Sequence, residues 1–101
     1  MNLDHSVFVE SCMEHLDHAE QAILDLEQGG EFRPLLQRVY RCLHTVKGDA
    51  STVGNTLAAT TAHAMEDELE VLMTAGPPFT RAHASQLLNR LDHLRAAIHA
   101  A

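Results

Sequence analysis

Positive charge is scarce in this sequence. Seven Lys and Arg stand against fourteen Asp and Glu, a net charge of −7 over 101 residues with the eight histidines neutral. That balance argues against an electrostatic grip on nucleic acid or on an anionic membrane surface. Long apolar runs are missing too: none approaches the ~18 residues that a membrane span needs, so no membrane insertion is expected. Residues 1–5 (Met-Asn-Leu-Asp-His) have neither the basic flank nor the apolar stretch of a signal peptide. Two cysteines, Cys12 and Cys42, are too few for a disulfide scaffold and fit a reducing, cytoplasmic setting. The length suffices for one compact domain, residues 1–101, and not for two.

The parts of a self-sufficient catalyst are absent as well. There is no Gly-rich nucleotide loop and no Asp/Asn cluster for magnesium, and the chain has no room for an ATP-binding domain. A metal-binding four-helix bundle would want Glu-x-x-His pairs pointing inward, and no histidine here has a glutamate three positions before it. Structural zinc would want paired cysteines, and Cys12 and Cys42 are isolated. The remaining histidines, His15 and His18 on one segment and His83, His93 and His99 on another, read as solvated or boundary residues. No cofactor and no independent catalytic activity are therefore expected of this chain.

What is present is a helical period. β-Branched runs with two-residue alternation do not occur, and apolar residues recur every three or four positions. Phe8, Cys12, Leu16, Ala19, Ile23 and Leu26 form a first stripe, opening near Asp4 or Ser6 and stopping at Gly29-Gly30. A second segment starts around Pro34, carries Leu36, Val39, Leu43, Val46, Ala50 and Val53, and ends at Gly54. A third begins at Asn55 or Thr56, with Ala58, Ala62, Met65, Leu69 and Leu72 inward, and stops at Gly76-Pro77-Pro78. The fourth follows Thr80, a plausible N-cap, with Leu87, Leu91, Leu94 and Ile98 inward. The pattern predicts helices over roughly 5–28, 32–53, 56–75 and 80–99. Similar lengths, short connections and one stripe apiece make the fold class all-α: an antiparallel up-down four-helix bundle.

Function must then reside on the polar faces. At about 100° per residue, His44, Lys47 and Ser51 fall together on the flank of the second helix. Gly48 lies beside them in mid-helix, where it costs about 1 kcal/mol relative to Ala. On the third helix His63, Glu66 and Glu70 share one flank, which an antiparallel neighbour would bring alongside His44. A carboxylate near an imidazole N–H orients the ring and leaves its other nitrogen nucleophilic. Lys47 would stabilise negative charge arriving there, the arrangement wanted for accepting a phosphoryl group. Plainer readings exist for each residue: a solvated charge for Lys47, a wet acidic face for Glu66-Asp67-Glu68, a packing residue for His63, close helix packing for Gly48.

The segment His44-Thr45-Val46-Lys47-Gly48-Asp49-Ala50-Ser51-Thr52-Val53-Gly54 resembles the signature of the histidine phosphotransfer (HPt) family. That signature reads His-x-hydrophobic-Lys-Gly-x-small-x-x-hydrophobic-Gly. More narrowly, His63 and Glu66 within Thr60-Thr61-Ala62-His63-Ala64-Met65-Glu66 are similar to the phosphoryl-accepting domain of CheA-type chemotaxis histidine kinases. The resemblance implies a phosphohistidine carrier in a two-component phosphorelay, and a place at the front of a longer kinase. His44 would be phosphorylated by a histidine kinase ATP-binding domain and would pass the group to an aspartate of a response-regulator receiver domain. ATP and magnesium would come with those partners. Lys47 would support transfer, Glu66 would accept a hydrogen bond from His44, and His63 would tune the site. Gly48, with Thr45 and Ser51 around it, would make room for the docking partner. Asp49 and Ser51 depart from the family, which commonly has glycines there, and Asp49 is expected to add negative charge near the site. The competing reading is a helical adaptor that does without His44.

Overall fold

In the computed structural model, which describes residues 5–100, four helices account for nearly the whole chain. They are α1 (His5–Glu27), α2 (Phe32–Thr52), α3 (Thr56–Ala75) and α4 (Arg81–His99). No strand occurs among the described residues, and every helix end lies within one residue of the range that periodicity predicts. Asp4, one candidate cap of α1, lies outside the described residues; Ser6, the other, sits inside the first turn rather than before it.

Connections of four, three and five residues join the helices. Even five extended residues reach only about 17 Å, whereas these helices are about 30 Å long. No connection can return the chain to the opposite end, so consecutive helices must run antiparallel. Each packs on its two neighbours in the ring α1–α2–α3–α4. The molecule measures 42 × 20 × 20 Å, one helix long and two helix diameters across.

The apolar stripes meet along the axis. Phe8, Leu16, Ile23, Leu36, Leu43, Met65, Leu69, Leu87, Leu91, Leu94 and Ile98 are fully buried, each stabilising the fold by about 1.5–3 kcal/mol relative to exposure. Ala22, Ala84 and Ala97 widen the stripes beyond the pattern read from sequence. Val53 and Leu72, expected inward, are only half-buried because they lie at the helix ends. Within this apolar interior one charged side chain stands out among the described residues: Glu66, 3% exposed.

Two caps set the helix ends, and one of them sets the register of the site. Gly54 adopts φ 78°, a left-handed conformation that only glycine takes cheaply. This lets the Asn55 N–H bond to the Ala50 carbonyl at 2.8 Å and close α2. Asn55 then caps α3 by accepting from the Ala58 N–H, and its amide donates to the Ala97 carbonyl of α4, both at 3.0 Å. The three-residue turn is thus clamped to a third helix, leaving little freedom for α2 to slide along α3. At the start of α4, Thr80 accepts from the His83 N–H while His83 Nδ1 accepts from the Thr80 N–H, both at 3.1 Å. His83, read as a solvated or boundary residue, is half-buried and completes a reciprocal cap.

Candidate functional site

With Leu43, Val46 and Ala50 buried, helical geometry turns His44 and Lys47 to the edge of α2 that faces α3. On α3, Ala62, Met65 and Leu69 point inward and carry Glu66 with them, beneath the α2 edge. His44 and Glu66 lie roughly 12 and 15 Å up their helices from the clamped turn, so they meet across the interface.

Glu66 is the hub. Its Oε2 lies 2.8 Å from His44 Nδ1, and its Oε1 accepts from Lys47 Nζ at 2.6 Å. His63 Nδ1 stands 3.5 Å from the same Oε1, and His63 Nε2 is 3.8 Å from Asp67. The His44 and His63 side chains remain 64% and 62% exposed, and that of Lys47 27%. All four residues expected at the site therefore converge. The structure adds a partner for Lys47: its ammonium, expected to await incoming charge beside His44, is already paired with the buried carboxylate.

Burial alone would push the Glu66 carboxyl up, but the hydrogen bonds and charges of Lys47 and His44 outweigh it and hold the group below its ordinary 4.5. Lys47 is held above its ordinary 10.5, its bond to Glu66 prevailing over the opposing effect of burial. At neutral pH the pair is fully charged. An ionised carboxylate only accepts, so His44 Nδ1 must be the N–H donor. In the neutral imidazole this places the lone pair on Nε2, at the edge of the ring turned away from α3.

The surroundings are open. A Cβ built on Gly48 meets nothing within 4 Å, and its backbone is ordinary right-handed helix. Neither helix packing nor conformation within this chain requires a glycine there, which removes the close-packing reading. Thr45 and Ser51 are exposed on the same helix, and Thr52 Oγ1 donates to the Gly48 carbonyl at 3.0 Å. Asp49 departs from expectation. It lies about 140° around α2 from His44 and acts on Cys12 of α1, where burial first and Asp49 second push the thiol up to about 11. Its charge thus faces α1, away from the site. Among the described residues no cluster of three or more His, Cys, Asp and Glu is arranged to hold a metal ion.

One residue at the site escaped the sequence reading. Tyr40, one turn before His44, lies nearly parallel to its ring, with centroids 6.2 Å apart and planes 8° apart. Its hydroxyl donates to Glu70 Oε1 at 3.2 Å, so Glu70, placed on the His63–Glu66 flank, serves Tyr40. The available signal was the spacing: the single tyrosine stands four residues before the motif histidine.

Comparison with known proteins agrees with this geometry. The Hpt domain model matches residues 5–97. The chain is 30% identical over 98 residues to the chemotaxis protein CheA of Bacillus subtilis (strain 168), an alignment covering 97% of this chain and 15% of that protein. It is 26% identical over 91 residues to CheA of Halobacterium salinarum, covering 90% and 14% respectively. The chain therefore spans only about one seventh of these relatives. Among solved structures, the phosphorylated P1 domain of CheA3 in complex with CheY6 from R. sphaeroides superposes with a TM-score of 0.83. That match has 26% identity and covers 94% of this chain and 74% of that one. The chain belongs to the Hpt domain family.

Proposed function

We propose that this Hpt domain carries a phosphoryl group on Nε2 of His44, taking it from a histidine kinase ATP-binding domain and delivering it to an aspartate of a response-regulator receiver domain. One observation carries the reading: an exposed imidazole whose Nδ1–H is held 2.8 Å from a buried, ionised carboxylate. In the first step the Nε2 lone pair forms the N–P bond while the bond from the γ-phosphorus to the ADP oxygen breaks. The ring keeps its Nδ1 proton and becomes cationic, and Glu66 stabilises that charge as it develops. In the second step a receiver carboxylate attacks phosphorus, the N–P bond breaks and the ring returns to neutral. No proton need leave Nδ1 in either direction, which suits a reversible carrier.

The related P1 domain, described as phosphorylated and in complex with CheY6, supports the choice of partner, and the CheA relatives support a kinase as donor. Magnesium and ATP belong to those partners. Such partners support a cytoplasmic setting for the domain. No described helix is long and apolar enough to cross a membrane. Incubation with labelled ATP and a CheA-type ATP-binding domain should put an acid-labile, base-stable label on the chain. His44→Gln should abolish that label with helical content intact. Label persisting in His44→Gln would exclude His44 as the carrier and favour an adaptor role for this face.

A further inference from the structure

The Glu66 bond does not by itself fix the His44 ring. A single donor–acceptor distance constrains one combination of χ1 and χ2 and leaves the two free to change together, a tilt of the plane that would swing the Nε2 lone pair through an arc. On a residue 64% exposed, solvent offers nothing to oppose that tilt. Tyr40 does oppose it. Its ring lies 8° from parallel with the imidazole at a centroid separation of 6.2 Å, inside the range of offset aromatic pairs. Tyr40 is packed against the core on one side and tied across the interface by its hydroxyl bond to Glu70 at 3.2 Å.

The arrangement repeats in antiparallel register. One turn back along α2, from His44 to Tyr40, corresponds to one turn forward along α3, from Glu66 to Glu70. Each step pairs an aromatic N–H or O–H on α2 with a carboxylate on α3. Burial first, then the charges of Glu66 and Glu70 with the bond to Glu70, hold the Tyr40 hydroxyl above its ordinary 10.0, so it stays a donor throughout the neutral range.

We propose that Tyr40, braced by Glu70, is a positioning residue for phosphorylation of His44: it holds the imidazole plane so that Nε2 presents its lone pair outward at a constant angle. The inference rests on the carrier reading above. The ring face is the active element, and the hydroxyl serves to keep that face in place. Because Tyr40 touches no reacting atom, its contribution falls on the rate of the chemical step and leaves donor binding untouched.

Phosphoramidate, a small phosphoryl donor, tests this without a docking partner, which separates ring alignment from protein recognition. Rates on the wild-type chain, Tyr40→Phe, Tyr40→Ala and Glu70→Gln are to be measured against donor concentration. Nitrogen-15 NMR of the His44 ring reports the share of Nδ1–H tautomer, and thermal unfolding reports the fold. Tyr40→Ala should lower the maximal rate by about 5–10-fold, as expected for a misaligned nucleophile, and reduce the Nδ1–H share. The half-saturating donor concentration should stay within about twofold. Tyr40→Phe, which keeps the face and its core packing but loses the brace, should recover most of the rate and fall short of wild type. Glu70→Gln, whose amide oxygen still accepts from the hydroxyl, should stay near wild type. Tyr40→Ala at wild-type rate and tautomer share, or Tyr40→Phe as slow as Tyr40→Ala, would overturn the proposal and leave the carrier reading standing. A wild-type chain that takes no label on His44 would overturn both.

Discussion

Replacing Glu66 by Gln preserves shape and removes one negative charge from a side chain that is 3% exposed. The carboxylate now serves His44 through Oε2 at 2.8 Å and Lys47 through Oε1 at 2.6 Å. A glutamine has one carbonyl oxygen to accept with, so the two donors compete for it, and the amide N–H₂ would face whichever of them lost. The imidazole then loses a charge-assisted bond, its fixed tautomer, and the anion that stabilises the ring as it becomes cationic. Loss of a partner that orients a functional histidine typically costs 10–100-fold, equivalent to about 1.4–2.7 kcal/mol in the barrier. Glu66→Gln should sit near the lower figure and Glu66→Ala, which accepts from neither donor, near the upper. Stability should fall by only about 1 kcal/mol, because His44 and Lys47 reach solvent and neither is left as a buried, unpaired charge. The assay is the initial rate of His44 labelling by a kinase ATP-binding domain, with thermal unfolding alongside. A rate within twofold of wild type for Glu66→Ala would refute the view that this carboxylate prepares the histidine.

The same pair makes stability depend on pH at both extremes. Glu66 has its folded-state pKa below 4.5, so its contribution is complete above that value and is lost as pH falls through the depressed one. The contribution of Lys47 is complete below 10.5 and is lost as pH rises through its raised value. Glu66→Gln should flatten both limbs of a plot of unfolding midpoint against pH, and unchanged limbs would exclude the pair as their source. Lys47→Ala should slow phosphoryl transfer while the bundle keeps its helical content; transfer at the wild-type rate would leave the lysine a purely structural role. Gly48→Ala should stabilise α2 by about 0.5–1 kcal/mol, since the added methyl meets nothing. It should also slow transfer to a receiver domain while leaving phosphoramidate labelling unchanged, and equal transfer rates would show that no partner closes on Gly48.

The periodic stripes, the breaks at Gly29-Gly30, Gly54 and Gly76-Pro77-Pro78, the start of the third segment at Asn55 or Thr56, and the cap at Thr80 made the bundle legible in advance. Each is local: a stripe follows from 3.6 residues per turn on one helix, and a cap from one side chain and the N–H groups just ahead of it. His44, Lys47 and Ser51 were legible for the same reason, as residues on one flank of one helix, and the contiguous stretch from His44 to Gly54 through its resemblance to the family signature. Glu66 was harder. Between Met65 and Asp67 it could be read as part of a wet acidic run, and nothing within α3 distinguishes a buried carboxylate from a solvated one.

Helix count, helix ends, most of the residues that form the core, and the shared flank of His44, Lys47 and Ser51 were thus determined by the amino-acid sequence, because short-range periodicity and steric rules suffice for them. The burial of Glu66, the commitment of Lys47 to it, the turning of Asp49 toward Cys12, and the pairing of Tyr40 with His44 and Glu70 were decided only by the tertiary structure. Most of these depend on how far α2 has slid along its neighbours, a quantity with no local signature. It is settled when the 53–55 turn, clamped by Asn55 to α4, and the packing of Leu43 and Met65 select one register from many.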